Sequence, residues 1–255
     1  MDGKDDISIA EAMSAKYVFP YHHLPQGAGG RTLAGRDFRY SLAYLGYLNE
    51  IIKEVEGLGA KSVLEIGCGD GRLASELNLR TECTYLGVDI DDRAIGFARA
   101  FTCSERAEFL CGDIRDIRQD EFDVAIMSEV LEHIPGSDVP SILCAIHERL
   151  RPGGNLLITV PSASIPVTPA HHRHYTSLTL IDSLEPLFVV DNLRFLNRHG
   201  LFLKICERLL VNRIFSLKEP LTTKLITKAY NKYLLNTDER YSEQLFAVLT
   251  KREVG

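Results

Sequence analysis

Short apolar runs alternate along the chain with segments whose apolar residues recur every three or four positions. Uninterrupted apolar runs are typical of strands covered on both faces, and the three-to-four spacing is typical of amphipathic helices. The runs predict strands at 61–66, 84–88, 107–111, 122–127, 154–160, 187–196 and 244–251. The helical spacing predicts helices at 36–56, 71–78, 91–101, 138–150 and from Ser177 onward. Strands separated by helices favour a parallel sheet wound through right-handed crossovers.

This alternation predicts one α/β domain at residues 36–255, a three-layer Rossmann-like sandwich. Residues 1–35 do not alternate in this way and are interrupted by proline and glycine, so we predict that they form an amino-terminal lid or strap. Residues at about 197–238 have helical spacing and are predicted to form a helical insertion before the last strand. A chain of 255 residues is long enough for one large domain with such additions.

The predicted insertion is basic, whereas the rest of the chain is acidic. Between Asn192 and Asn236 there are nine Lys or Arg residues and two Glu residues, a local net charge of +7, which leaves −13 for the remainder of a chain of net charge −6. Lys224, Lys228 and Lys232 recur on one helical face. Such a face is either an ordinary solvated surface or a contact surface for an anionic membrane or a phosphorylated acceptor.

Composition favours a soluble globular protein, with 45% hydrophobic residues. The first residues are too polar for a secretory signal, and no apolar run is long enough to span a bilayer. The cysteines are scattered without a CxxC pair, so we expect reduced thiols in a cytoplasmic protein. They stand at positions 68, 83, 103, 111, 144 and 206.

The segment Ser62–Gly71 combines a predicted strand, a glycine turn and the start of a helix. Open α/β sheets hold nucleotides at such a turn, because glycine permits close backbone approach and positive φ angles. Glu65 stands near the end of the strand. Its carboxylate would repel a pyrophosphate and attract a ligand with an ammonium and a sulfonium group, and S-adenosylmethionine carries both.

Acidic residues also stand at the ends of the next two strands. Asp89 follows the glycine turn by about 20 residues, a position from which a carboxylate accepts both ribose hydroxyls. Asp113 can accept a hydrogen bond from an adenine amino group, and Ile114 can cover the ring. Taken singly, Asp89 also fits a helix cap and Asp113 a turn residue. Arg72 stands where an NAD-binding turn would have its third glycine, which disfavours an NAD oxidoreductase.

Together these motifs resemble those of the class I S-adenosylmethionine-dependent methyltransferases, over about residues 60–160. The resemblance implies a seven-stranded, mostly parallel sheet with an antiparallel last strand. It places Glu65, Gly67 and Gly69 at the methionine moiety, Asp89 at the ribose, and Asp113 and Ile114 at the adenine. We also expect four further residues to contact the cofactor: Tyr17, Cys68, Ile90 and Ser128.

The segment Glu129–Pro135 follows the fourth predicted strand, where the acceptor must approach the methyl group. A sulfonium is already a good electrophile, so catalysis should rest on alignment and on removal of a proton from the acceptor. His133 can serve as the general base near neutral pH. The alternative is a structural histidine bonded to a backbone carbonyl. The candidate catalytic residues are His133, His171 and Glu129.

Further histidines follow the fifth strand, at 171, 172 and 174. Four residues resemble the acidic–histidine metal site of small-RNA 2′-O-methyltransferases and of the hydroxyl-methylating enzymes of ubiquinone synthesis: Glu129, Glu132, His133 and His171. The resemblance implies a divalent ion that holds two vicinal hydroxyls and lowers the pKa of the one attacked. Two carboxylates and two imidazoles suit Mg, Mn, Fe or Zn. His172 and His174 depart from that pattern, and the alternative is a solvated polar loop.

We therefore expect a methyltransferase that acts on a hydroxyl of a small or sugar-like acceptor, such as a glycan, a sugar nucleotide or a lipid-linked sugar. The segment Tyr17–Pro25 resembles the leading segment of bacterial methyltransferases that modify surface glycans or sugar nucleotides. One rival is an RNA 2′-O-methyltransferase, but the acidic body and the lack of an RNA-binding motif argue against nucleic acid. Another is a non-catalytic protein that binds S-adenosylmethionine without turnover.

Overall fold

The computed structural model of the protein describes residues 26–28, 31–33, 38–119, 121–200 and 220–253. Its helices are α1 (Phe38–Leu58), α2 (Arg72–Arg80), α3 (Asp92–Phe101), α4 (Val139–Arg149), α5 (Ser177–Leu184) and α6 (Pro220–Tyr233). Its strands are β1 (Gln26–Ala28), β2 (Arg31–Leu33), β3 (Ser62–Ile66), β4 (Thr84–Asp89), β5 (Ala107–Cys111), β6 (Phe122–Ser128), β7 (Leu150–Pro161), β8 (Phe188–Arg198) and β9 (Ser242–Lys251). Short 3₁₀ turns lie at Ile114–Asp116, Leu131–His133 and Glu239–Tyr241.

Strands β3 to β9 form one seven-stranded sheet in the order β5-β4-β3-β6-β7-β9-β8. Neighbouring strands from β5 to β7 are parallel, whereas β9 pairs antiparallel with both β7 and β8. The predicted mostly parallel sheet with an antiparallel last strand is therefore confirmed. Because parallel strands end at the same edge, the residues that follow β3, β4, β5, β6 and β7 lie along one side of the molecule.

Alternate residues of the central strands are buried on opposite faces of the sheet. On β3, Val63 packs in the layer of α1, α2 and α3, and Leu64 packs in the layer of α4 and α5. On β6, Ile126 and Met127 repeat this alternation. Helices on both faces explain why these strands are near-continuous apolar runs, and they confirm the three-layer α/β architecture.

The bounds of two elements differ most from the sequence prediction. β7 begins at Leu150 rather than at 154, because Leu150 pairs with Phe122 ahead of a register shift between Phe122 and Val124. α1 continues to Leu58, and Gly59 follows it with a φ angle of 62°, a common way for a helix to end.

The structure describes the predicted insertion and the predicted lid only in part. The predicted helical start at about 197 is wrong, because β8 continues to Arg198. Of the rest of the insertion the structure describes residues 199–200, α6 and the turn that follows, and residues 201–219 lie outside the described residues. Of residues 1–35 it describes β1 and β2, an antiparallel pair whose backbone lies near α1 and α6 and which the sequence pattern did not predict. No helix within the described ranges is long and apolar enough to cross a membrane. The five described cysteines form no disulfide.

Candidate functional site

The glycine turn between β3 and α2 forms one wall of the site. Gly67, Gly69 and Gly71 have positive φ angles of 71°, 54° and 74°, a backbone region that a Cβ disfavours. The amides of Gly67 and Cys68 both donate to the carbonyl oxygen of Val88, at 2.7 and 3.1 Å. Backbone contacts with the end of β4 therefore hold the turn in its folded shape.

Asp89, at the end of β4, holds the same turn with its side chain. One carboxylate oxygen accepts from the amide of Gly69 and the other from the amide of Asp91, both at 2.9 Å. Partial burial raises the pKa of Asp89 above its usual range, against the effect of these hydrogen bonds. The cap of α3 is Asp91, whose side chain accepts from the amides of Arg93 and Ala94. The helix-cap interpretation of Asp89 is therefore wrong, and its carboxylate lies at the strand end where the ribose is predicted.

Glu65 lies near the end of β3 and is only 4% exposed. The hydroxyl of Tyr85, on the neighbouring β4, donates a hydrogen bond to its carboxylate. Burial raises the pKa of Glu65 to about 8, the bond from Tyr85 lowers it, and the nearby charges of Asp70 and Asp89 raise it further. A cation beside these three carboxylates would favour their ionised forms. The turn is therefore electrostatically suited to an ammonium group.

The end of β5 carries the residues predicted at the adenine. Asp113 caps the 3₁₀ turn Ile114–Asp116, and its carboxylate accepts from the guanidinium of Arg115 at 2.6 Å. The hydrogen bond from Arg115 lowers the pKa of Asp113, which therefore stays ionised. Ile114 is buried, whereas Ile90, at the end of the neighbouring β4, is 73% exposed. The exposed isoleucine lies beside the strand ends that are predicted to hold the nucleoside.

Three further residues were predicted at the cofactor. Cys68 is buried, and a Cβ on Gly87 would lie 2.9 Å from its Sγ, so its side chain packs behind the turn. Burial raises the pKa of the Cys68 thiol well above its usual range. Ser128, at the end of β6, lies at the sheet edge with its Oγ 3.0 Å from Oγ1 of Thr159. Tyr17 lies outside the described residues.

Glu129 follows β6 with a φ angle of 55°, a left-handed conformation that is uncommon for a residue other than glycine. Its amide donates to the carbonyl oxygen of Thr159 at 3.0 Å, which fixes this backbone. Burial raises the pKa of Glu129 to about 7, while side-chain hydrogen bonds with Gln244 and Thr159 lower it. Its Oε1 is buried and accepts no hydrogen bond from the part of the chain that the structure describes. Strained backbone of this kind is concentrated at functional sites.

His133 and His171 each use one ring nitrogen to bind the protein. Nδ1 of His133 lies 2.7 Å from the carbonyl oxygen of Ala170, so this nitrogen carries the proton and donates. Nδ1 of His174 lies 3.1 Å from the carbonyl oxygen of Ile165 and donates for the same reason. Nε2 of His174 then accepts from Nδ1 of His171, 2.8 Å away. In the neutral rings, Nε2 of both His133 and His171 therefore carries a lone pair.

These two histidines form a small cluster with Glu132. The ligand atoms of Glu132, His133 and His171 lie within 4.8 Å of one another. Oε1 of the buried Glu132 is 3.8 Å from Nε2 of His133, and the two imidazole rings meet edge to face with centroids 4.7 Å apart. Imidazoles oriented through their other N–H group are typical metal ligands, so this donor set fits a divalent ion. Glu129, the fourth predicted ligand, is not a member of the cluster, and its carboxylate lies against β7 and β9.

Comparison with known proteins identifies the family. A sequence model described as "Methyltransferase domain" matches residues 41–200. The chain belongs to this family, that of the class I S-adenosylmethionine-dependent methyltransferases. Curated relatives of this methyltransferase include the ubiquinone biosynthesis O-methyltransferases of Pseudomonas syringae pv. tomato, 30% identical over 113 residues, and of Aeromonas salmonicida, 33% identical over 117 residues. These alignments cover 42% and 44% of this chain and 47% and 48% of the relatives, so the chain spans about half the length of the curated relatives it matches.

Solved methyltransferase structures share the fold. Magnesium protoporphyrin IX methyltransferase from Synechocystis PCC 6803, with bound S-adenosylhomocysteine, superposes with a TM-score of 0.56 at 12% identity, covering 84% of this chain and 86% of that one. The N-methyltransferase NodS from Bradyrhizobium japonicum WM9, in complex with S-adenosylhomocysteine, gives 0.52 at 17% identity, covering 80% and 87%. At these identities the likeness concerns the fold and not the acceptor.

Three side chains of the candidate site were not assigned a role from the sequence. Tyr85 reaches Glu65 because β3 and β4 pair in a register that places Tyr85 opposite Val63, two residues from Glu65 on the same face. Gln244 reaches Glu129 from β9, far along the chain, and no local pattern signals that contact. His174 departs from the metal pattern, and its ring orients His171. The only signal of this contact in the sequence is that the two histidines stand three residues apart.

Proposed function

We propose that the methyltransferase transfers the methyl group of S-adenosylmethionine to a hydroxyl of a small or sugar-like acceptor, such as a glycan, a sugar nucleotide or a lipid-linked sugar. The observation that carries the proposal is the cluster of Glu132, His133 and His171 beside the ends of β6 and β7. A hydroxyl must lose a proton as it is methylated, and this cluster offers groups that can take or stabilise that proton. The names of the curated relatives, which describe O-methylation, support the same class of reaction.

On the donor side, we propose contacts that follow the strand ends. S-adenosylmethionine supplies an electrophilic methyl group. Glu65, with Gly67 and Gly69, would bind the methionine moiety, and the raised pKa of Glu65 supports this because an ammonium group would relieve the cost of its buried charge. Asp89 would accept the ribose hydroxyls. Asp113, together with Ile114, would bind the adenine, with the amino group sharing the carboxylate with the neighbouring guanidinium.

On the acceptor side, Nε2 of His133 is the proposed proton acceptor. The bond from its Nδ1 to Ala170 fixes both the tautomer and the plane of the ring. Oε1 of the buried Glu132 lies 3.8 Å from this Nε2, and its carboxylate would stabilise the imidazolium that forms when the acceptor loses its proton. Orientation of the base by a second group in this way is the usual arrangement for general-base catalysis.

The same cluster supports a second version, in which Glu132, His133 and His171 hold a divalent ion. Such an ion would lower the pKa of a coordinated hydroxyl and would favour acceptors with neighbouring hydroxyls. The Nε2 lone pairs of both histidines, each set by a bond at Nδ1, support this version. Here His133 is a ligand and not the base, so the two versions respond differently to removal of metal.

An acceptor screen with labelled methyl donor tests the proposed function. The panel contains catechols, sugars with neighbouring hydroxyls, their singly blocked analogues, an amine and a short RNA. We expect transfer to hydroxyl acceptors, and we expect His133→Ala to lower turnover by roughly a hundredfold or more with donor affinity nearly unchanged. Exposed His172 provides the matched control, since His172→Ala should retain turnover. Transfer to the amine or RNA alone, or donor binding with no transfer to any acceptor, would contradict the proposal.

Chelation distinguishes the two versions of the mechanism. Full activity after exhaustive chelation, with no metal found by elemental analysis, would refute the metal version and leave His133 as the base. Loss of turnover that one divalent ion restores, together with a preference for vicinal hydroxyls, would establish the metal version.

For partners, we propose that the exposed face of α6 contacts an anionic membrane surface. Lys224, Lys228 and Lys232 are exposed, and Leu225 is exposed beside them. Lysines flanked by exposed apolar side chains are typical of helices that lie at a membrane interface. A lipid-linked acceptor would be encountered at such a surface.

A further inference from the structure

A chain of hydrogen bonds connects helix α6 with Glu129. The hydroxyl of Tyr230, a buried residue of α6, donates to Oδ1 of Asn197 at 2.8 Å. Nδ2 of Asn197 donates to Oε1 of Gln244, and Gln244 is hydrogen-bonded with the carboxylate of Glu129. The four side chains come from α6, β8, β9 and the turn after β6. The donor contacts proposed above use none of these residues.

The contacts of Asn197 fix the direction of every bond in this chain. Its Nδ2 also lies 3.3 Å from the carbonyl oxygen of Ala43, and only the nitrogen of an amide can donate to a carbonyl. Its Oδ1 must then accept from Tyr230. Because Gln244 offers its oxygen to Asn197, its Nε2 is the group left to donate to Glu129. All donors point toward the carboxylate, an arrangement in which each hydrogen bond strengthens the next.

Close packing holds Asn197 in place. The residue is fully buried and has a left-handed backbone, with a φ angle of 59°. Gly46 of α1 lies beside it, and a Cβ there would be 3.6 Å from Oδ1 of Asn197 and 2.9 Å from Cδ1 of Leu235. The glycine therefore lets α1 pack closely against Leu235, beside Asn197. A strained, fully buried and fully bonded amide has little freedom to reorient.

We propose that Gln244 is a positioning residue that fixes the orientation of the Glu129 carboxylate in the segment after β6. We propose also that Asn197 and Tyr230 make this orientation depend on how α6 packs against the sheet. The inference rests on the proposed function in one respect, that the acceptor binds beside the segment after β6, which carries both Glu129 and the cluster residues Glu132 and His133. Helix α6 also carries the exposed lysines. Contact of that face with a membrane or an acceptor would therefore change the orientation of the Glu129 carboxylate through the hydrogen bonds that begin at Tyr230.

Two substitutions in the full chain test the effect on catalysis. Gln244→Leu removes the donor to Glu129 at similar size, and Tyr230→Phe removes only the hydroxyl. We expect kcat to fall roughly tenfold for the first and several-fold for the second, with the KM for S-adenosylmethionine unchanged. Exposed Tyr233, in the same helix, gives the matched control Tyr233→Phe, which should behave as the parent. Lower thermal stability with an unchanged kcat would make these contacts structural and overturn the inference.

A readout independent of turnover separates this inference from the proposed function. Gln244→Glu brings two carboxylates together and should lower the melting temperature, and adding Glu129→Gln restores a donor and an acceptor and should recover most of the loss. In NMR spectra with labelled glutamine side chains, Tyr230→Phe should shift the amide signal of Gln244, whereas Tyr233→Phe should not. If the effects of Gln244→Glu and Glu129→Gln on the melting temperature were additive and the amide signal of Gln244 did not move, the inference would be overturned even if a hydroxyl is methylated. If the two substitutions were coupled but no acceptor was methylated, only the proposed function would be overturned.

Discussion

Gly67 lies so close to Val130 that a Cβ on the glycine would be 2.4 Å from Cγ2 of the valine. Gly67 belongs to the turn predicted to bind the donor, and Val130 belongs to the segment that carries Glu129 and Glu132. The two halves of the site are therefore in direct contact. Glycine is required at position 67 by the space available as well as by its positive φ angle of 71°.

Gly67→Ala should therefore damage donor binding and stability together. The added methyl group overlaps Val130 and occupies a strained backbone conformation, so either the turn or the acceptor segment must move. We expect donor affinity to fall by roughly tenfold or more, measured by calorimetry with S-adenosylhomocysteine, and the melting temperature to fall as well. Gly96→Ala is the matched control, because a Cβ at Gly96 in α3 meets no atom within 4 Å and alanine favours a helix. Equal affinities for parent and Gly67→Ala would show that the contact is unimportant.

Glu65→Gln should stabilise the ligand-free protein at alkaline pH and weaken donor binding. The pKa of Glu65 rises from about 4.5 to about 8 on folding, so between these values the folded state binds more protons than the unfolded state. Stability of the parent should therefore fall as pH rises through this window, and the substitution removes that loss. We expect the melting temperature of Glu65→Gln to exceed that of the parent by a margin that grows from pH 5 to pH 9. A margin independent of pH would show that Glu65 is ionised in the folded protein throughout.

Asp89 and Asp91 allow binding and capping to be tested separately. Asp89→Ala should weaken binding of S-adenosylhomocysteine by about 1–3 kcal/mol, because the ribose hydroxyls lose their acceptor. Asp91→Ala removes the cap of α3 and should cost about 1 kcal/mol of folding stability while donor affinity is retained. Calorimetry and urea unfolding on both variants give the comparison. Unchanged affinity in a folded Asp89→Ala protein would exclude the ribose contact.

The sequence predicted the strands of the large sheet, their mostly parallel direction and the residues at their ends, because these depend on local pattern and on the crossover connections between strands. Asp89 and Asp113 are found at strand ends because a buried parallel strand leaves its last residues at the sheet edge. Asp113 is also held by Arg115, two residues away, which the motif alone did not indicate.

Other parts of the site depend on pairing between distant segments. The bond between Gln244 and Glu129 exists because β9 enters the sheet beside β7, and neither residue carries a periodic signal for that contact. β1 and β2 are strands of three residues, too short for a period-two pattern to be distinguished from a glycine-rich loop.

The lysine face of α6 predicts salt-dependent binding to anionic vesicles. Each of Lys224, Lys228 and Lys232 should contribute, so Lys→Gln at any one of them should weaken binding, and 0.5 M salt should weaken it steeply, on the order of tenfold or more. Lys61 is exposed just before β3 and lies outside α6, so the control variant Lys61→Gln should bind the vesicles as the parent does. Sedimentation that neither salt nor these substitutions change would leave the face a solvated surface.

Because His174 is hydrogen-bonded to His171, we predict that turnover depends on His174, although His174 lies outside the cluster of Glu132, His133 and His171. Nδ1 of His171 donates to Nε2 of His174, which leaves Nε2 of His171 with its lone pair in the cluster. His174→Ala should remove that orientation and lower turnover by roughly 10–100-fold, the usual effect of losing a residue that orients a site histidine. His174→Gln, whose side-chain oxygen can accept from the same N–H group, should retain part of the activity.

His172→Ala changes an exposed imidazole of the same loop and should leave turnover unchanged, and donor affinity should be equal in all three variants. If His174→Ala and His172→Ala had the same turnover, the tautomer of His171 would be set by another contact, and its assignment to the cluster would lose its basis.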